Sequence, residues 1–265
     1  MAVANRHSDV TRMAVIATGN GDSSNAAWAD VDNDGNLDLL VTNLGGQNEF
    51  FYLNNGDGTF TKITQGNLVN SGRGSNGAVF TDYDWDGFLD LFVANFTQNN
   101  WLFRNKGNAN DWLAVKCVGT ASNRSAIGTR VRAKATIGGK TVWQLREISN
   151  GDRVGNGTLT AHFGLGDATR IDTLRIEWPS GIVDELHDVA AKQSMTVTEP
   201  TRLRALGAGV LRIQSWKGMA FEVQASTDLD QWSPLTTVTN LPGTLEFTDP
   251  STANDSQRFY RTVLR

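Results

Sequence analysis

Two acidic loops with the same spacing constrain the fold of this chain more than any other feature of its sequence. Each loop has aspartates at positions 1, 3, 5 and 9 and a glycine at position 6. Carboxylates this close repel one another unless a hard divalent cation lies among them, and calcium prefers a flexible shell of many oxygen ligands. The glycine permits the positive φ of a sharp turn. The eight aspartates are Asp30, Asp32, Asp34 and Asp38 in the first loop and Asp82, Asp84, Asp86 and Asp90 in the second.

The residues around these aspartates distinguish the loops from helix-flanked calcium sites. An EF-hand loop needs a glutamate at position 12, whereas position 12 is Val41 in the first loop and Val93 in the second. Short segments rich in β-branched and aromatic residues flank both loops, which favours strands. A further ligand is expected from the backbone carbonyl of position 7, which is Asn36 or Phe88. The sequence therefore predicts two calcium ions, each at the tip of a β-hairpin, although a single such loop could be an ordinary solvated turn.

The loops are parts of a longer repeat. They begin 52 residues apart, and the segment FYLNNG at 51–56 is answered by LFRNKG at 102–107. A period near 50 residues with several short strands is typical of β-propeller blades. Residues 30–43, followed by YLNNGDGTF at 52–60, resemble the VCBS or FG-GAP-like repeat of integrin-type propellers. This resemblance implies that the eight loop aspartates bind calcium.

Four motifs farther along the chain resemble a second family. They are NDWLAV at 110–115, SNRSAIGTRV at 122–131, HFGLG at 162–166 and EWPSG at 177–181. All four are similar to parts of the ASPIC/UnbV domain, which follows such repeats in bacterial secreted proteins and in cartilage acidic protein. The combination implies an extracellular, calcium-stabilised binding or adhesion scaffold without an established catalytic site.

These patterns predict an all-β chain, with a partial β-propeller of two VCBS/FG-GAP-like blades followed by β-sandwich domains. Propellers close with about four to eight blades. Either the chain is therefore a fragment of a longer protein, which we favour, or its open blade edges pair with another chain. The predicted boundaries are 1–23 for a tail or incomplete blade strand, 24–108 for the repeats, 109–199 for the ASPIC/UnbV sandwich and 200–265 for a small sandwich that weakly resembles a fibronectin-like module.

Charge and hydropathy argue against several classes of protein. The net charge is −4 and no basic stripe is present, so nucleic acid is not an expected partner. No run of about 20 apolar residues predicts a membrane span. An extracellular, cell-surface or periplasmic location is expected from the resemblance, yet no signal peptide follows Met1, which favours truncation. The only cysteine, Cys117, is expected to be a buried small hydrophobe in a strand.

Catalytic motifs are not found in the sequence. The three histidines, His7, His162 and His187, lack the spacing of a zinc site. His162 is the best single candidate for a functional role, although packed histidines in strands are more common. The leading hypothesis is a non-catalytic binding or adhesion module that recognises a protein or a glycan. The alternatives are a polysaccharide lyase or hydrolase fragment on a propeller scaffold, and a structural spacer in which calcium affects stability alone.

Overall fold

The computed structural model describes residues 16, 20–150, 158–200, 202–207, 209–214, 219–240, 244–251 and 257–264. Twenty strands are found in this part of the chain, arranged in several separate sheets. The prediction of an all-β fold is confirmed. Most of the segment predicted as a tail, including His7, lies outside the described residues. Within the described residues, no helix is long and apolar enough to cross a membrane.

Each repeat folds into its own antiparallel sheet. Both acidic loops connect the first two strands of their sheet, so each loop is the tip of a hairpin. The last backbone pair before the loop is Ala29 with Asp38 in the first repeat and Thr81 with Asp90 in the second. In spatial order the first sheet contains β1 (Ser23–Ala29), β2 (Asp38–Asn43), β3 (Phe50–Asn54) and β4 (Phe60–Ile63), and the second contains β5 (Ser75–Thr81), β6 (Asp90–Asn95) and β7 (Trp101–Phe103).

The two repeat sheets share a core and a set of polar contacts. The Ser24 hydroxyl donates to the Ser75 carbonyl oxygen at 2.7 Å. Glu49, which is 3% exposed, accepts hydrogen bonds from the backbone N–H of Asn43 and from the hydroxyls of Ser71 and Ser75. The buried apolar cluster between the sheets consists of Leu40, Ala78, Leu91 and Val93. Neighbouring repeats bury their apolar faces against each other in this way.

Two further sheets are built from residues 111–198. Their strands show the alternation that the sequence predicts, since Leu174, Ile176 and Trp178 are buried while the residues between them are partly exposed. Cys117 is buried and free, as expected. The first sheet has the order β10 (Lys140–Glu147), β9 (Arg130–Ile137), β12 (Arg170–Glu177) and β13 (Val183–Ala190), and the second has the order β11 (Thr160–Gly166), β8 (Asp111–Val118) and β14 (Gln193–Thr198).

The last strands form two three-stranded sheets with a common core. One sheet has the order β15 (Arg202–Gly207), β16 (Val210–Gln214) and β19 (Thr244–Thr248), and the other has the order β18 (Ser233–Asn240), β17 (Met219–Ser226) and β20 (Phe259–Leu264). Leu211 and Ile213 from one sheet cluster with Phe221 and Val223 from the other. This arrangement is that of a small sandwich. The fibronectin-like assignment stays a prediction.

Backbone proximity divides the chain into two compact units. The first contains the described residues within Met1–Val115, Val131–Arg175 and Glu185–Met195, and the second contains those within Lys116–Arg130, Ile176–Asp184 and Thr196–Arg265. Both acidic loops lie in the first unit.

Candidate functional site

The first acidic loop is organised by its own aspartates. The carboxylate of Asp30 accepts hydrogen bonds from the backbone N–H groups of Asp34 at 3.0 Å and Gly35 at 2.9 Å. Asp38 accepts from the N–H groups of Val31 at 3.0 Å and Asn54 at 2.8 Å, which ties the loop to β3. Carboxylates that accept backbone N–H groups fix the turn in one conformation.

The second loop repeats this pattern at equivalent positions. Asp82 accepts from the N–H groups of Asp86 at 3.1 Å and Gly87 at 2.9 Å. Asp90 accepts from Tyr83 at 3.1 Å and from Asn105 at 2.7 Å. The two loops therefore share one hydrogen-bond design as well as one sequence spacing.

Backbone conformation at two loop positions explains the glycines and reveals a strained residue. The position-6 glycines, Gly35 and Gly87, have φ of 96° and 89°, as the sequence predicts. Position 4 also has positive φ, 57° at Asn33 and 63° at Trp85. Asparagine tolerates this conformation, whereas a bulky aromatic residue rarely adopts it. The second loop therefore holds Trp85 in a strained conformation that the sequence did not signal.

Each loop gathers three carboxylates closely enough to share an ion. Oxygens of Asp30, Asp32 and Asp38 lie within 4.8 Å of one another, and oxygens of Asp82, Asp84 and Asp86 do the same. Two oxygens on opposite sides of one calcium ion are about 5 Å apart, since each bond is about 2.4 Å. The ligand atoms are hard carboxylate oxygens, and Asp84 Oδ1 is buried without a hydrogen-bond partner. These residues fit calcium.

The predicted ligands that lie outside these groups have other contacts. In the first loop Asp34 accepts from the backbone N–H of Asn36 at 2.8 Å and from its side-chain amide at 2.9 Å. In the second loop Asp90 makes the backbone contacts described above, and Phe88 donates its N–H to Asp86 at 3.0 Å. The structure thus brings together three of the four predicted aspartates in each loop. The aspartate left out is Asp34 in the first loop and Asp90 in the second. The carbonyl ligands of Asn36 and Phe88 stay predictions.

An arginine distinguishes the second loop from the first. The guanidinium of Arg104 contacts Asp84 at 2.5 Å and Asp86 at 3.1 Å. The corresponding residue of the first repeat is Leu53, one position before the asparagine that bonds to the ninth-position aspartate. The chain therefore supplies a counter-charge to the second loop that the first loop does not receive at this position. Sequence comparison of the repeats shows the Leu/Arg difference but not its contact with the carboxylates.

Burial and mutual repulsion raise the pKa values of the first-loop carboxyls. Desolvation by burial is the main cause for both Asp30 and Asp38, and it raises the pKa of each to about 7. The charge of Asp34 adds to this effect at Asp30, whereas Arg146 opposes it. Burial also raises the pKa of Asp32 and of Asp82. A bound divalent cation would lower these pKa values, because its charge favours the deprotonated carboxylates.

This electrostatic frustration predicts an unusual pH dependence of the calcium-free chain. The folded state keeps protons on Asp30 and Asp38 up to about pH 7, whereas an unfolded aspartate loses its proton near pH ~3.9. The folded state binds more protons in this window, so the free energy of unfolding should fall as pH rises from about 4 to about 7. Urea denaturation with a chelator tests this, and Asp38→Asn should flatten the slope. A parent chain whose slope equals that of the variant would contradict the assignment.

The carbonyl oxygen of Gly87 joins the second loop to two other parts of the first unit. It accepts from the side-chain amide of Asn33 at 3.0 Å, and His162 Nε2 lies 3.1 Å away. A carbonyl can only accept, so Nε2 carries the proton and Nδ1 is an acceptor. The His162 ring stacks on Trp112 with ring centroids 6.1 Å apart, and desolvation by burial lowers its pKa to about 4. His162 is therefore a neutral, packed strand histidine with Nδ1 unpartnered.

Two family models match the chain. The model of the ASPIC and UnbV family matches residues 119–204, and the model of the FG-GAP-like repeat matches residues 30–93. The chain therefore contains an FG-GAP-like repeat segment and an ASPIC/UnbV segment. The resemblances drawn from its motifs are thereby confirmed, and neither family description names a catalytic activity.

Curated relatives named cartilage acidic protein 1 match part of this chain. Cartilage acidic protein 1 from Mus musculus is 31% identical over 189 residues, which are 64% of this chain and 27% of that protein. The Homo sapiens protein is 32% identical over 171 residues, 58% of this chain and 24% of that one. The chain thus spans about a quarter of the length of these relatives. A solved tetra-tandem repeat from the extending region of a large adhesion protein covers 91% of this chain and 72% of its own at 10% identity, but its TM-score of 0.16 is too low to inform the fold.

Proposed function

We propose that this chain is part of an extracellular, non-catalytic binding or adhesion module whose repeat loops are held in shape by two calcium ions. The observation that carries the proposal is the convergence of three carboxylates within 4.8 Å in both loops. The FG-GAP-like match and the similarity to cartilage acidic protein 1 support the same class. Its ligand would be a protein or a glycan.

Calcium would supply positive charge where each loop concentrates negative charge. Asp30, Asp32 and Asp38 would hold one ion, and the three grouped aspartates of the second loop would hold the other. Because the unfolded chain cannot assemble these ligands, binding favours the folded state by RT ln(1 + [Ca]/Kd), about 2.7 kcal/mol per site at a hundredfold excess over Kd. Extracellular sites of this type function with Kd of about 0.1 to 1 mM.

Calorimetric titration of chelator-treated protein tests the proposal directly. The parent chain should take up two calcium ions, whereas Asp32→Ala should take up one and lose about half of the calcium-dependent rise in melting temperature. Asp172→Ala is the matched control, because Asp172 is an exposed aspartate of β12 in the same unit and outside both clusters. No uptake by the parent at about 5 mM calcium would overturn the proposal.

The two sites should differ in affinity because of Arg104. Calcium must displace this guanidinium from Asp84 and Asp86. Arg104→Leu, which copies Leu53 of the first repeat, should tighten binding at the second site by about two- to fivefold, the range expected for an exposed ion pair. Arg212→Leu, which breaks the exposed pair with Glu246 in the second unit, should leave both calcium affinities unchanged. Weaker binding in the Arg104 variant would show that the arginine supports the site.

A further inference from the structure

A cavity of about 400 Å³ lies in the first unit beside both acidic loops. Its wall includes the first aspartate of each loop, Asp30 and Asp82, together with Arg146 and His162. All residues that line it belong to the first unit. Small-molecule sites commonly have volumes of about 300 to 1,000 Å³ with a few convergent polar groups. The cavity meets both criteria, and it adjoins the two calcium sites through Asp30 and Asp82.

Aromatic side chains form much of the apolar wall. Trp28 and Trp85 are 50% and 75% exposed, and Phe80 lies on the same wall. Trp28 is held by an edge contact with Phe60, whose ring centroid is 6.2 Å away. Indole rings left accessible on a cavity wall offer flat apolar surfaces to a ligand.

His162 lines the wall without offering a hydrogen-bonding group to the cavity. Nε2 donates to the Gly87 carbonyl oxygen, so Nδ1 can only accept. Nδ1 has no hydrogen-bond partner within the described part of the chain, but it is fully buried and a ligand in the cavity does not reach it.

Arg146 provides donors on the same wall. Its guanidinium donates to the carbonyl oxygens of His162 at 2.9 Å and Leu145 at 3.0 Å, and to Gln144 Oε1 at 3.1 Å. A guanidinium has more N–H groups than these contacts use. The remaining donors suit an oxygen that is able to accept hydrogen bonds.

The charges on the wall select against ions. Each loop has four aspartates, so one bound calcium ion leaves it with net negative charge, and the wall near Asp30 and Asp82 would repel an anion, while the guanidinium of Arg146 would repel a cation. A neutral ligand whose groups both donate and accept is compatible with all three, and a ring with an apolar face would pack on the indoles. A pyranose has both properties.

We propose that this cavity binds one neutral sugar unit of a glycan, with its ring on Trp28 or Trp85 and a hydroxyl oxygen on Arg146. The inference rests on the proposed binding function, of which it names the ligand class and the place. It assigns to the first unit a recognition site that borders the two clusters of carboxylates. The sugar would be a terminal or branching residue small enough for the cavity.

Binding of the methyl glycosides of glucose, galactose, mannose and N-acetylglucosamine tests the proposal. Saturation-transfer NMR on the calcium-loaded chain should detect at least one of them at about 10 mM, with glucuronate and glucosamine bound about tenfold more weakly. Trp28→Ala should weaken the affinity about fivefold or more. Trp143→Ala is the control, because Trp143 is 53% exposed and does not line the cavity, and it should change the affinity less than about twofold.

A second variant keeps the test informative if Trp28→Ala does not fold. Trp85→Asn places at this position the residue that the first loop has at Asn33, and should weaken binding as Trp28→Ala does while relieving the strained φ. Calcium titrations on the same samples separate the two proposals. Calcium uptake without binding of any methyl glycoside overturns the sugar site alone, as do full affinity in both tryptophan variants and preference for glucuronate. Sugar binding without calcium uptake overturns the calcium scaffold and leaves the sugar site standing.

Discussion

Gly87→Ala is expected to destabilise the first unit by about 3 to 4 kcal/mol. A Cβ atom at this position would lie 1.7 Å from Trp112 Cε2 and 2.0 Å from its Nε1, so the indole would have to move. The residue also has φ of 89°, which an L-amino acid with a side chain adopts only with strain. Overpacking and backbone strain each cost about 1–3 kcal/mol. Denaturant unfolding followed by tryptophan fluorescence measures the loss.

Gly66→Ala separates the two causes of that loss. Gly66 has φ of 107°, yet an added Cβ would have no atom within 4 Å. This variant should lose only the cost of the strained φ, about 1 kcal/mol. If both alanine variants lost the same free energy of unfolding, the collision with Trp112 would have no energetic weight, and the proposed packing of that indole against the loop would be wrong.

Glu199→Ala should destabilise the second unit by about 3 to 5 kcal/mol. Glu199 is 1% exposed, and its carboxylate accepts from the backbone N–H groups of Thr120 at 2.9 Å, Ala121 at 2.9 Å and Ser122 at 2.7 Å. It also accepts from the hydroxyls of Ser122 and Ser180. Successive N–H groups of this kind form a nest for an anion. Alanine would leave these buried donors without an acceptor, and each unsatisfied group costs about 1–3 kcal/mol.

Hydrogen exchange locates this effect within the unit. Amide protons of Thr120, Ala121 and Ser122 should exchange much faster in Glu199→Ala than in the parent chain, because their hydrogen bonds are lost. Glu246→Ala, which breaks an exposed pair with Arg212, should change stability by less than about 1 kcal/mol. Unchanged exchange at the nest in Glu199→Ala would contradict the role assigned to this carboxylate.

The sequence predicted the class of the fold and the position of both loops for a simple physical reason. Spacing and glycine conformation are local properties, so the hairpin tips and the positive φ of Gly35 and Gly87 could be read directly from the motif. Alternation likewise predicted the buried side chains of β12, because period-2 patterns report which face of a strand meets the core.

Features that depend on distant residues could not be predicted in this way. Arg104 follows its loop by many positions, and only the hairpin geometry brings it to Asp84 and Asp86. The cavity wall combines β1, β5 and β11 residues, whose proximity is a property of the folded unit. His162 was the best histidine on sequence grounds, but its unpartnered Nδ1 appears only when Gly87 and Trp112 are placed beside it.

The polar contacts that follow the second repeat set a minimum length for an autonomous calcium-binding piece of this chain. The amide groups of Asn108 and Asn110 both donate to the Asp32 carbonyl oxygen, at 2.6 and 2.8 Å, and that of Asn105 donates to Val31 at 2.7 Å. A truncation placed directly after β7 would remove these three hydrogen bonds to the first loop, although all eight aspartates would remain. Any excised segment intended to retain ion affinity must therefore extend through Asn110, beyond the boundary that counting repeats alone would choose.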